Sequence, residues 1–93
     1  MVISLLQLQI SIPEARSLKD KRSVIRSLKD RTVAHMNVSV AETGKQDLWK
    51  GAELAFVSVA GTKEIVEKRM AKLVQVIRSD PRYVVMDMYT TYM

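Results

Sequence analysis

The start of the chain alternates between apolar and polar side chains. Leu6 and Leu8 fall on one side, whereas Gln7 and Gln9 fall on the other. This period of two residues is typical of a β-strand that buries one face. Pro13 then ends the predicted strand, because its backbone has no N–H group to donate.

A helical period follows the proline. Ser17 is the predicted N-cap, and Asp20 lies three residues later. A carboxylate is stabilising at that position because the amino-terminal end of a helix carries partial positive charge. At about 100° per residue, Val24 and Leu28 fall within one arc, which indicates the buried stripe of the helix. We therefore expect a helix that begins after Ser17 and ends near His35.

The remaining segments repeat these two periods. The patterns predict a strand over 36–42, a loop over 43–47 and a strand over 52–60. A second helix is predicted from about Thr62 to the Ser-Asp-Pro sequence at 79–81, where the proline ends it. The last predicted strand covers 82–92. The order is therefore βαββαβ within a single domain, residues 1–93. This order predicts an α+β, ferredoxin-like sandwich, in which two helices cover one face of a four-stranded antiparallel sheet.

Composition narrows the possible chemistry. The 93 residues include no cysteine and one histidine, which excludes disulfides and thiolate zinc sites. His35 is assigned to the end of the first helix, where a cation is favoured. The chain has neither a Walker loop nor a GxGxxG motif, and its carboxylates form no metal-binding loop. We expect no catalytic residue, no metal and no cofactor.

No targeting or membrane segment is recognisable. The apolar amino terminus lacks the basic start and the small-residue cleavage site of a signal peptide. No stretch approaches the roughly 20 apolar residues that cross a bilayer. We expect a soluble, cytoplasmic protein with no membrane contact.

The net charge of +5 lies on the two predicted helices. Residues 17–35 hold six basic and two acidic side chains, and residues 62–79 hold five basic and two acidic ones. The cations predicted to face outward are Lys19, Arg22, Arg26 and Lys29 on the first helix, with Lys68 and Lys72 on the second. If the two helices pack side by side, these side chains form one basic surface. Such a surface favours the phosphates of RNA. The alternative is a solvated helix face with no partner.

Two cations fall inside the predicted buried arcs. Lys21 belongs to the arc of the first helix and Arg69 to that of the second. Each side chain either extends past its apolar neighbours to the edge of the sheet or pairs with a carboxylate. The candidate carboxylates are Glu42, Asp47 and Glu53. We expect a structural role for both cations.

Two other activities occur in proteins of this fold class. Acylphosphatases bind phosphate with a glycine-rich turn after the first strand. This chain reads IPEARSLK there and has no glycine in that segment. An anion could therefore be held only by Arg16 and by the backbone N–H groups from Ser17 onward. RNA-recognition motifs stack bases on sheet aromatics, whereas Phe56 is predicted to point inward. Trp49 is expected to anchor its loop onto the core.

The face of the sheet opposite the helices is also apolar. It is predicted to expose Ile3, Leu5, Val57, Val59 and Val85. An exposed apolar patch of this kind usually marks an interface. We therefore expect a homodimer or a protein partner on this face.

Three motifs together resemble the YlxP-like family, small bacterial proteins long described as a domain of unknown function. They are SLKDKR at 17–22, NVSVAE at 37–42 and QDLW at 46–49. The similarity covers nearly the whole chain, although the final MYTTYM departs from the family pattern. The resemblance implies a ferredoxin-like fold. It also implies a role around translation or small-subunit maturation, because family members are often encoded beside transcription-elongation, translation-initiation and ribosome-binding factors.

The leading hypothesis from the sequence is a non-enzymatic factor that binds ribosomal RNA or a ribosome-assembly intermediate through the basic helical surface. The first alternative is a protein-interaction module that uses the apolar sheet face. The second is a small anion-binding enzyme at Arg16 and Ser17.

Overall fold

The computed structural model describes residues 1–46 and 48–93. Its elements, in chain order, are β1 (Val2–Ser11), α1 (Leu18–Val33), β2 (Ser39–Gly44), β3 (Gly51–Ala60), α2 (Lys63–Arg78) and β4 (Val84–Tyr92). The four strands form one sheet in the order β2-β3-β1-β4, and every neighbouring pair is antiparallel. This arrangement confirms the predicted ferredoxin-like βαββαβ fold.

The core lies between the sheet and the two helices. Leu6 is opposite Phe56 and Leu8 is opposite Leu54 in the β1–β3 register, and all four side chains are buried. Both helices place their apolar stripes on this layer, with the buried residues Val24, Ile25 and Leu28 from α1 and Val66, Met70, Leu73 and Ile77 from α2. The inward position of Phe56 confirms that the sheet does not present it as a base-stacking ring.

The alternation of β4 is broken by a bulge. Gln9 pairs with Asp87 but Ile10 pairs with Val85, so Met86 is an extra residue in β4. An extra residue reverses which side chains point to which face beyond it. Val85 therefore packs against the core under the helices, and its predicted position on the opposite face was wrong.

Strand β2 lies later in the chain than predicted. The segment 36–42 was expected to form the strand, whereas β2 begins at Ser39 and continues to Gly44. A turn occupies the preceding residues, in which the Met36 N–H donates to Thr32 O and the Val38 N–H donates to Met36 O. Val38 is nevertheless buried, because the turn lays it on the same core.

Candidate nucleic-acid interface

The buried cation of α1 binds the loop that follows β2. Lys21 is 1% exposed, and its Nζ atom donates to the carbonyl oxygens of Lys45 and Leu48, each at 2.6 Å. The same Nζ lies 2.9 Å from Glu42 Oε2. The predicted structural role is confirmed, with Glu42 as the carboxylate. Asp47, another of the candidates, lies outside the described residues.

Arg69 of α2 also has an internal role. Its Nη1 atom donates to Ser58 Oγ at 2.7 Å and to Val59 O at 3.0 Å. Ser58 Oγ in turn donates to Asn37 O at 2.7 Å. Arg69 thus reaches past the core to the edge of the sheet, as one of the two alternatives predicted. Over residues 1–46 and 48–93 it forms no ion pair, so neither Glu42 nor Glu53 is its partner.

Two arginines converge on a carboxylate that the sequence interpretation treated merely as a helix stop. Asp80 has a side chain that is 4% exposed, and its Oδ2 atom lies 2.8 Å from Arg31 Nη2. Arg82 donates through Nε to Asp80 Oδ1 at 3.0 Å. The hydrogen bonds from Arg82, followed by the charges of both arginines, hold the pKa of Asp80 below its usual value although burial opposes this. Neither the spacing nor the periodicity of these residues predicts the cluster.

The remaining α1 cations form what we call the basic flank: Lys19, Arg22, Arg26 and Lys29. Lys19, Arg22 and Arg26 are exposed, and Lys29 is half-buried. Within the part of the chain that the structure describes, none of the four forms an ion pair. Lys21 and Arg31, the other two cations of α1, are both bound internally. The unmatched charge of the helix is therefore gathered on the flank that the sequence predicted.

The basic flank faces away from α2. Arg31 marks the side of α1 that meets α2, because its Nη1 atom donates to Val76 O at 3.4 Å. At about 100° per residue, the four flank residues lie about 120–180° around the axis from Arg31. The centre of the flank therefore lies on the side of α1 opposite its contact with α2. One surface shared by both helices stays a prediction.

The α2 cations are also more closely matched with acids than expected. Lys68 Nζ lies 3.4 Å from Glu64 Oε1, and Lys63 Nζ lies 3.7 Å from Glu67 Oε1. Both pairs have the i,i+4 spacing of neighbours on a helix surface. Lys72 is exposed on the same helix. The charge of Lys68 thus has an acidic neighbour, unlike the charges of the basic flank.

The start of α1 is capped by its own residues. Ser17 Oγ accepts a hydrogen bond from the Asp20 N–H at 3.1 Å, and Asp20 Oδ2 accepts one from the Arg16 N–H at 2.9 Å. Two of the backbone N–H groups at the predicted anion site, those of Arg16 and Asp20, are therefore taken by the cap itself. The Arg16 side chain is exposed and is not part of this cap. An anion site at Arg16 and Ser17 stays a prediction.

Trp49 was expected to be buried against the core, but its side chain is exposed. Its side chain is 49% exposed, and the preceding Leu48 is 57% exposed. An open cavity of about 420 Å³ lies beside the ring, lined by Pro13, Glu14, Ala15, Arg16, Trp49 and Lys50. The expectation that Trp49 anchors the loop on the core was wrong, because Lys21 performs that task through the backbone carbonyls instead.

The open face, meaning the sheet face opposite the helices, carries four of its five predicted apolar residues. Ile3 is opposite Val59 and Leu5 is opposite Val57 across β1 and β3. Val57 and Val59 are 42% and 48% exposed, and Ile3 and Leu5 are half-buried. Tyr89 lies on the same face, opposite Gln7, and is 51% exposed. The open face thus holds a contiguous apolar patch.

Neither a metal centre nor a membrane-spanning helix is present among the described residues. No three side chains of the metal-binding types come together there. No helix in that part of the chain is both long and apolar enough to cross a bilayer.

Comparison with solved structures defines the class of the fold. The chain superposes on a structural-genomics protein, YJCS, with a TM-score of 0.60 at 11% identity, covering 96% of each chain. It superposes on the de novo designed protein Foldit4 with a TM-score of 0.57 at 14% identity, again over 96% of each chain. A designed protein with a ferredoxin fold, LFR1 1, gives a TM-score of 0.54 at 15% identity, covering 99% of this chain and 85% of the other. The protein is thus a ferredoxin-like sandwich.

Sequence comparison then identifies the family. Residues 3–90 match the family described as "Protein of unknown function (DUF503)", and the chain belongs to this family. It is 30% identical over 80 residues to the uncharacterized protein YlxP of Bacillus subtilis (strain 168), covering 86% of this chain and 87% of YlxP. The resemblance to YlxP-like proteins is therefore confirmed.

Proposed function

We propose that this protein is a non-enzymatic, cytoplasmic RNA-binding factor whose basic flank contacts the phosphates of ribosomal RNA or of a ribosome-assembly intermediate. The observation that carries the proposal is the separation of the α1 cations into two groups. Lys21 and Arg31 are bound by acceptors of the same molecule, whereas the basic flank forms no ion pair with any described residue.

The geometry of the flank supports phosphate contact. Its residues recur at i, i+3, i+7 and i+10, and they extend over about 15 Å of the helix axis. Long, exposed cations on one side of a rigid helix can neutralise neighbouring phosphates without a change in the fold. A contact of this kind reads the backbone of the RNA and gives little sequence specificity.

The choice of ribosomal RNA as the target rests on the family resemblance. YlxP-like proteins are often encoded beside translation-initiation and ribosome-binding factors, which is an associative argument. The basic flank itself is compatible with any exposed RNA backbone.

Charge reversal on the flank tests the proposal. We expect the Arg22→Glu/Arg26→Glu variant to lose binding to small-subunit ribosomal RNA at low salt, because two phosphate contacts become repulsive. The matched control is Lys63→Glu/Arg78→Glu, which changes the net charge equally on exposed positions of α2 outside the predicted surface. Fluorescence anisotropy with labelled RNA measures the affinity of each variant. Sucrose-gradient fractionation of cell extract at low and high salt shows whether each variant sediments with ribosomal particles.

The salt dependence gives a second criterion. About four phosphate contacts predict a slope near −3 in a plot of log affinity against log salt for the unmodified protein. Equal loss of binding in the flank and control variants would show that net charge, rather than the basic flank, attracts RNA. Normal binding by the flank variant would refute the proposal.

A second candidate function is protein interaction through the open face, including formation of a homodimer. The exposure of Val57, Val59 and Tyr89 on one sheet face favours it. Such an interface would persist at high salt, whereas phosphate contacts weaken. Sedimentation equilibrium of the unmodified protein and of a Val57→Lys/Val59→Lys variant measures whether a homodimer forms through the open face. A monomer mass for both at all concentrations would exclude the homodimer.

A further inference from the structure

The loop that carries Trp49 is held from both sides of that residue. The carbonyl oxygen of Leu48 accepts from Lys21 Nζ at 2.6 Å, and the carbonyl oxygen of Lys50 accepts from the Ile12 N–H at 2.8 Å. Lys45, where the loop begins, has a φ of 57°, in the left-handed region. The backbone around the tryptophan is thus fixed to α1 and to the residue after β1.

A fixed backbone makes the exposure of Trp49 informative. Tryptophan carries a large apolar area, and a ring that merely filled a gap in the core would be buried. Here the Lys21 contact secures the loop, and the indole remains 49% exposed. A large, exposed aromatic ring on a backbone that is held on both sides is a ready contact surface for a ligand.

The cavity beside the ring has a mixed lining. Arg16 and Lys50 line it together with one acid, Glu14, and with the apolar Pro13 and Ala15. The two cations outnumber the acid, so the lining favours an anionic ligand over an uncharged apolar peptide. A flat aromatic ring beside two cations matches an unpaired nucleobase, since the base stacks on the ring and the flanking phosphates meet the cations.

The cavity also lies at the end of α1 where the basic flank begins. Arg16 lines the cavity, and Lys19, the first residue of the flank, follows three positions later. We infer that Trp49 is a stacking platform for an unpaired RNA base, with Arg16 and Lys50 contacting the phosphates beside it. This inference rests on the proposed function and deepens it, because it specifies RNA with a single-stranded segment.

The test uses the intrinsic fluorescence of Trp49, which is the one tryptophan in the sequence. The probes are a single-stranded oligouridine RNA and a blunt RNA duplex, each also labelled for anisotropy. We expect the single strand to quench Trp49 at saturation, because the base stacks on the indole, and the blunt duplex to bind without quenching. Trp49→Leu should weaken single-strand binding by about 5- to 150-fold and leave duplex binding unchanged.

Two variants separate stacking from other effects. Trp49→Phe retains an aromatic face and should recover part of the single-strand affinity, whereas Trp49→Leu should not. Far-UV circular dichroism verifies that each variant is folded. Arg22→Glu/Arg26→Glu should lower the affinity for both RNA forms, because it removes phosphate contacts that do not depend on unpaired bases.

The outcomes distinguish this inference from the proposed function. If both RNA forms bind but the single strand does not quench Trp49, the stacking platform is refuted and the proposed function stands. If neither form binds at low salt, both fail. If Trp49 fluorescence responds to apolar peptides but not to RNA, the cavity is a protein-binding site and the inference is overturned.

Discussion

The ammonium of Lys21 lies 2.6 Å from the carbonyl oxygen of Leu48, which joins helix α1 to the loop after β2. This contact connects two of the segments on which the resemblance to YlxP-like proteins was recognised, SLKDKR at 17–22 and QDLW at 46–49. Ser17 and Asp20 in the first motif cap the helix. Much of the motif is therefore explained by folding, and within it Lys19 and Arg22 are the cations left for a partner.

Replacing Lys21 should destabilise the protein strongly. Lys21→Met removes the buried ammonium and leaves Glu42 and two loop carbonyls without their donor, which costs about 2–5 kcal/mol in the free energy of unfolding. Urea unfolding measures the change. Lys19→Met is the matched control on the exposed side of the same helix, with an expected change within about 0.5 kcal/mol. Equal stability of the two variants would contradict the structural role of Lys21.

Asp80 should make stability depend on pH in the acid range. Its pKa in the folded protein is lowered, chiefly by hydrogen bonds from Arg82, so its contribution is complete above the unfolded pKa of about 3.9 and disappears as the pH falls through the lower folded value. Asp80→Asn should therefore cost about 2–4 kcal/mol near pH 7, and the difference from the unmodified protein should shrink below pH 4.

Urea unfolding between pH 2 and 7 measures the Asp80 effect. Asp87→Asn is the control, because Asp87 is exposed on the open face and forms no ion pair with a described residue. We expect a change within about 0.5 kcal/mol for this control. A stability difference for Asp80→Asn that stays constant with pH would show that the carboxylate charge is not the stabilising element.

The cap of α1 should be separable from RNA binding. Ser17→Ala removes the acceptor for the Asp20 N–H and should cost about 1 kcal/mol in the free energy of unfolding. Ser23→Ala, at an exposed position inside the same helix, should be neutral or raise stability by up to about 0.5 kcal/mol because alanine favours the helix. Thermal unfolding compares the two variants. A loss of RNA affinity in folded Ser17→Ala would reassign Ser17 to the ligand site.

The bulge in β4 predicts unequal effects for two adjacent valines. Val85 packs against the core, whereas Val84 is 52% exposed. Val85→Ala should therefore cost about 1 kcal/mol, and Val84→Ala should change the free energy of unfolding by less than about 0.5 kcal/mol. Denaturant unfolding of both variants measures the difference. The reverse order would place Val85 on the open face, as the uninterrupted alternation had predicted.

Two of the regions that the sequence misassigned share a cause. The strand pattern placed Val85 on the open face because nothing in the apolar residues of β4 signals that Met86 is extra. The position of the bulge emerges only from the pairing of β4 with β1, in which Gln9 and Ile10 meet residues that are not consecutive. Trp49 was similarly expected in the core, since the sequence does not reveal that Lys21 already secures its loop.

Periodicity along the chain was sufficient to determine the order of the elements, the buried stripes of both helices and the concentration of positive charge on them. These properties depend on neighbours within a few residues. The tertiary structure decided which cations remain free, because ion pairing depends on distances between residues that are remote in sequence. Arg31 meets Asp80 from 49 residues away, and Lys21 meets Leu48 from 27, while the basic flank has no such encounter among the described residues.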